Sequence, residues 1–201
     1  MKIQPLIEKL EGTEVYKKFK EDYKDSFLVA GFFVLDYETN KNVNQIDYFI
    51  PSEKKVAAFT MKEEIGMQIL ETMNDKIPET LPVQTNVDLD AIKGILEDGM
   101  KNRNITEDLK KVIAVIQTLE GKKIWILNCI MSGMEILKAH IDDESKTILK
   151  MEKASVLDYI KKVPMKGATQ NKPSKENIEK QIDQLDTLKE QLEKAKEKIK
   201  E

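Results

Sequence analysis

Two stretches of this chain share one plan, and that duplication constrains the fold more than any composition figure. Residues 45–59 and 135–149 each read as a strand, a polar turn rich in Ser, Glu and Lys, and a second short apolar strand. Each follows a longer and almost wholly apolar strand. The likeness suggests a supersecondary unit used twice, helix first and strands after. The run Ser26-Phe27-Leu28-Val29-Ala30-Gly31-Phe32-Phe33-Val34-Leu35-Asp36 is apolar at odd and even positions alike, the mark of a strand covered on both faces.

The remaining elements follow from periodicity and punctuation. Leu6, Ile7, Leu10, Val15, Phe19 and Tyr23 recur at helical spacing, so residues 4–24 read as one broken helix or two short ones, interrupted at Gly12. Thr39-Asn40-Lys41-Asn42 makes a turn. Ile65, Met67, Ile69, Leu70 and Met73 predict a helix over 62–75. Pro78 and Pro82 bracket an extended connector, and Asp88 reads as the N-cap of a helix running through Leu89, Ile92, Ile95, Leu96 and Met100. Strands over 111–119 and 122–131 flank Glu120-Gly121, a tight hairpin turn. Ser132-Gly133 turns the chain into a strand over 134–141, and 147–151 completes the meander. Val156, Leu157 and Ile160 suggest a short closing helix.

A Gly-, Thr-, Gln-, Asn- and Lys-rich linker over 163–173 then precedes a charged helix over 174–201. Ile178, Ile182, Leu185, Leu192 and Ile199 fit alternating four- and three-residue steps, with Lys189 and Lys196 at the other seam positions. Two readings fit this tail. One is a solvated helix held by pairs such as Glu190 with Lys194; the other is a marginal coiled coil whose Ile and Leu stripe binds a partner.

Composition excludes several classes. Thirty-three basic residues against 36 acidic ones give a net charge of −3, a poor match to duplex nucleic acid. Arg103 is the only arginine, so bidentate phosphate or guanine recognition is nearly absent. Cys129 is the only cysteine and can form no intrachain disulfide. The Met-Lys-Ile-Gln-Pro start lacks a secretory pattern, and no apolar run approaches the roughly 20 residues of a membrane span. A reducing, cytoplasmic setting is the expectation.

No catalytic motif emerges, and no cofactor or metal site is predicted. With a two-residue turn at Ser132-Gly133, Cys129 would pair opposite Ile136 and His140 opposite Trp125. Both would then share a sheet face, yet lie more than roughly 10 Å apart along the strands, too far for proton transfer. One His and one Cys cannot supply a zinc ligand set. Asp142-Asp143-Glu144 reads as turn chemistry rather than a calcium cluster, which needs six or more oxygens. The eight glycines form no phosphate-binding loop. Trp125, between Ile124 and Ile126, is expected in the core or a half-interface.

The helix near 88–102, the hairpin carrying Trp125, and Ile141-Asp142-Asp143-Glu144-Ser145-Lys146 before Ile148-Leu149 together resemble a PepSY-type unit, a small helix-on-sheet domain of cystatin-like shape. Family members show an aspartate-led turn, often Asp-x-x-Thr-Gly. Asp142 and Ser145 match it in kind, and Lys146 replaces the glycine. The resemblance implies a non-catalytic unit with an inhibitory or regulatory role.

The expected fold is α+β: two related helix-plus-antiparallel-sheet units over 1–80 and 81–162, PepSY- or cystatin-like, followed by the charged C-terminal helix. The expected function is a non-enzymatic binding or regulatory protein acting on a protein partner or as a homodimer. Its contact stripe is Ile178, Ile182, Leu185, Leu192 and Ile199. Two alternatives remain open. One is a small enzyme whose buried acid rests on Asp47, Asp36 or His140 with Tyr48, which needs a desolvated carboxylate in a pocket beside His140. The other is a ribosome- or RNA-associated factor.

Overall fold

The structure, a computed structural model, describes residues 1–72 and 76–155. The tail stripe, the linker and the closing helix expected near Ile160 lie outside the described residues.

Two short helices open the chain, α1 (Gln4–Glu11) and α2 (Glu14–Asp22). The break falls at Gly12-Thr13, where the Thr13 hydroxyl caps α2 by accepting from the Tyr16 N–H at 3.3 Å. Four strands follow: β1 (Phe27–Asp36), β2 (Val43–Ile50), β3 (Lys55–Met61) and β4 (Ile65–Glu71). A connector leads through one 3-10 turn (Leu89–Ala91) into α3 (Ile92–Lys101). The last strands are β5 (Leu109–Leu119), β6 (Lys122–Met131), β7 (Glu135–Asp142) and β8 (Ile148–Ser155).

The expectation of two helix-plus-sheet units is overturned. All eight strands form one antiparallel sheet in the order β4-β3-β2-β1-β5-β6-β7-β8. At its centre, residues 30–36 of β1 pair with residues 111–117 of β5. The reason is the edge. Two separate four-stranded sheets would each leave an inner strand with a row of unpaired backbone groups, and β1 and β5 satisfy each other. The centre is thus where the most apolar strands are buried laterally as well as on their faces.

The helix expected over 62–75 is instead the edge strand β4. Ile65, Met67 and Ile69 alternate with Gly66 and Gln68 at period two, the strand repeat, and the exposed rim of β3 offers a backbone partner that helical spacing does not need. The turn after β6 also differs from expectation. It takes three residues (Ser132–Met134), with Gly133 at φ 72° and Met134 at φ 58°. Cys129 therefore pairs with Leu137, and His140 with Ile126. A slip of one residue moves every side chain of β7 to the other face.

The described helices cover one face. Beneath them lie Phe33, Ile46, Tyr48, Phe59, Ala114, Ile116, Trp125, Leu127 and Leu137, packed with Ile7 and Leu10 of α1, Phe19 of α2, and Ile92 and Leu96 of α3. Phe19 meets Phe59 edge-on at 5.1 Å between ring centroids. At Gly99 an added Cβ would fall 2.3 Å from Ile148 Cδ1, so glycine sets the close approach of α3 to β8.

Candidate functional site on the open face of the sheet

No described helix covers the opposite face. Strand pairing sets Phe32, Val115 and Ile126 side by side in one row, and Val43, Val34 and Ile113 in the next. All six are half-buried, as is Ile136, while Ile130 is 44% exposed. Polar groups interrupt the apolar rows: Gln45 and Thr60 at one side, and Asn128, Lys138 and His140 at the other. A strand apolar on both parities is thus covered by the described helices on one side and, among the described residues, only half-buried on the other.

Near one end of this face lies a groove of about 320 Å³, lined by Val29, Ala30, Asp47, Val56, Leu70, Pro78 and Gln117 among others. Asp47 is its one unusual group. Burial pushes its carboxyl up to about 6, against the opposing hydrogen bond from Gln45 Nε2 at 2.8 Å. Raised carboxyls of this kind concentrate at functional sites.

The enzyme alternative, an acid at Asp47, Asp36 or His140 with Tyr48, needed a desolvated carboxylate in a pocket beside His140; the sheet keeps Asp47, the raised carboxyl, away from it. Asp47 is on β2 and His140 on β7, four strand positions away, roughly 19 Å at the usual spacing. Tyr48 faces the helices, where its hydroxyl donates to Glu11 Oε1 at 3.3 Å. Asp36 holds the β1–β2 turn: its Oδ1 accepts from the N–H groups of Glu38 and Thr39, at 3.1 and 2.9 Å, and Lys111 lies 2.9 Å from Oδ2. The Thr39 amide and the Lys111 ammonium hold its carboxyl far below the usual range. Cys129 is buried on the helix side, opposite to His140, and burial pushes its thiol up to about 12. Asp47, His140, Tyr48, Asp36 and Cys129 are thus not brought together in one site.

The acidic turn after β7 contains a group the sequence reading missed. Asp142 takes the turn role, its Oδ1 accepting from the Ser145 N–H and hydroxyl, both at 2.8 Å. Lys146, where the PepSY motif has glycine, has a φ of 58°, in the region glycine favours. Asp143 turns inward and is fully buried. It accepts from Trp125 Nε1 at 2.9 Å and from the Asn86 and Val87 N–H groups at 2.9 and 3.0 Å, with Lys123 Nζ 3.0 Å away. Burial raises its carboxyl, but the bonds from Trp125, Asn86, Val87 and Lys123 outweigh that and hold it below the ordinary value. The available signal was Trp125: a buried indole N–H needs an acceptor.

Among the described residues, no group of three or more His, Cys, Asp or Glu side chains could hold a metal ion, and no helix is long and apolar enough to cross a membrane. No family model matches the sequence, and no curated protein matches it. Among solved structures, a chain from Clostridium difficile 630 described as "a putative lipoprotein" aligns with a TM-score of 0.47 at 14% identity, covering 70% of this chain and 91% of that one. Similarity at that level carries no argument about what this chain does.

Proposed function

We propose that the chain is a cytoplasmic, non-enzymatic binding or regulatory protein that acts through protein–protein contacts, with the open sheet face as its contact surface. One observation carries the reading: an eight-stranded sheet with described helices on one face only and adjoining apolar rows, Phe32–Val115–Ile126 and Val43–Val34–Ile113, on the other. Apolar patches rimmed by polar groups mark interaction sites. The PepSY-like turn, with Lys146 in the glycine-type conformation, is consistent with a non-catalytic unit. The tail stripe Ile178, Ile182, Leu185, Leu192 and Ile199 is a second contact element of the same proposal.

The test is capture from native lysate by the full chain and by a Phe32→Ser, Ile126→Ser variant. The variant should remain folded and lose the captured partner. Equal capture by both refutes the open face as the contact surface. Capture that collapses between roughly 50 and 200 mM salt would instead favour an RNA partner.

A further inference from the structure

The two rims of the sheet are built differently. β8 has Lys150, Glu152 and Lys153 in its length, and its pairing with β7 is broken by a register shift at His140/Ile141. Charges and bulges of this kind stop edge strands from recruiting further strands. Among the described residues β4 has no bulge, and its one charge is Glu71 at its end. Its pairing with β3 is regular from Ile65 to Glu71, residues 65–70 contain no charged side chain, and Met67, Ile69 and Leu70 are 39%, 36% and 44% exposed. It is also free of proline.

We propose that the β4 edge is a docking site for a second copy of this chain, β4 pairing antiparallel with its twofold mate to continue the sheet. What singles out a second copy is self-complementarity. With Gln68 placed opposite its own mate, Met67 meets Ile69, Gly66 meets Leu70, and Ile65 meets Glu71, so no like charges oppose each other within the strand. Each of these pairs also joins side chains of the same face, because the side-chain period is two. The contact is isologous, the commonest closed symmetry. Its axis stands perpendicular to the sheet, so both helix layers fall on one side and both open faces join on the other. The paired copies would thereby present one doubled contact surface, a consequence that rests on the preceding proposal although the pairing does not.

The axis makes Gln68 the test position, since a charge placed there must face its own copy. The full chain should sediment as a dimer, Gln68→Lys and Gln68→Glu should each shift it to monomer, and an equimolar mixture of the two variants should recover the dimer. Recovery in the mixture cannot come from misfolding of either variant. A wild-type monomer throughout the micromolar range overturns the proposal, and so does a dimer that survives both substitutions. A dimer that survives them but dissociates with Phe32→Ser, Ile126→Ser would place self-association on the open face instead. Equal lysate capture by the wild type and the Phe32→Ser, Ile126→Ser variant, with the dimer intact, would count against the open-face contact and leave the β4 pairing standing.

Discussion

Removing the Asp143 carboxylate should destabilise the body more than any other single change to an acidic residue in the described chain. Asp143→Ala strands two buried donors, Trp125 Nε1–H and the Val87 N–H, and one part-buried donor, the Asn86 N–H. Each buried donor left without a partner costs about 1–3 kcal/mol. Lys123 loses little by comparison, because its side chain is 22% exposed and it keeps the Gln84 carbonyl at 2.6 Å. Allowing for a water entering the vacated space, the net loss should be about 3–5 kcal/mol. With a urea slope of about 2 kcal/mol/M for a body of this size, the midpoint should fall by roughly 2 M. Trp125 is the only tryptophan, so its fluorescence reports both the transition and the loss of its own bond. Asp143→Asn keeps one acceptor oxygen and should fall between wild type and Asp143→Ala. The acid dependence has a definite sign. A carboxyl held below its ordinary value stabilises the fold above about pH 4, and that contribution is lost as pH falls through the folded-state value. The gap between wild type and Asp143→Asn should therefore narrow in acid. A loss under about 1 kcal/mol for Asp143→Ala, or a gap that widens in acid, would refute this account.

Asp47 should behave in the opposite sense. Its carboxyl is raised to about 6, so the folded state holds its proton more tightly than the unfolded chain does, and stability falls as pH rises from about 4 to 6. Asp47→Asn should stabilise the protein by about 1–3 kcal/mol at pH 8 and be nearly neutral at pH 4, as read by urea melts at both values. Cys129, buried with its thiol pushed up to about 12, should resist Ellman's reagent in the native protein and react once urea unfolds it; stoichiometric labelling of the native form within minutes would contradict the burial. Gly99→Val should lower the melting temperature by several degrees through collision with Ile148 and Met151, while Gly94→Ala, with open space around it, should raise it slightly.

Local signals were legible in this sequence, and long-range ones were not. The break at Gly12-Thr13, the central strand β1, the helix α3 and the turn at Glu120-Gly121 all follow from residues adjacent in the chain. The last of these has both residues at positive φ, 52° and 74°. Pairing of β1 with β5 left no local trace, because 75 or more residues separate the partners and either strand reads the same with another neighbour. The strand β4 was obscured by Leu70 and Met73, which extend an apolar period toward 3.6, although Ile65, Met67 and Ile69 already alternate. The turn after β6 shows how small an ambiguity matters. Counting Met134 in the turn, rather than in the strand, moves His140 from the Cys129 face to the open face.

The same reasoning explains why the candidate site was only half visible. Apolar residues on both parities announced that β1 needed cover on two faces, and the described helices supply it on one. Nothing local could state that the second face would be shared by eight strands, because that surface exists only once β1 and β5 have joined. The acidic residues mislead for a related reason. Asp36, Asp142 and Asp143 all look like turn residues, and each does bind backbone N–H groups; only Asp143 is also the buried acceptor of an indole. Asp47, in a strand with no turn to hold, has the raised carboxyl instead. An acid satisfied by backbone amides contributes to the fold. An acid desolvated with a single neutral partner is unfavourable in the folded chain alone, and a partner that brought a cation to the open face would relieve it.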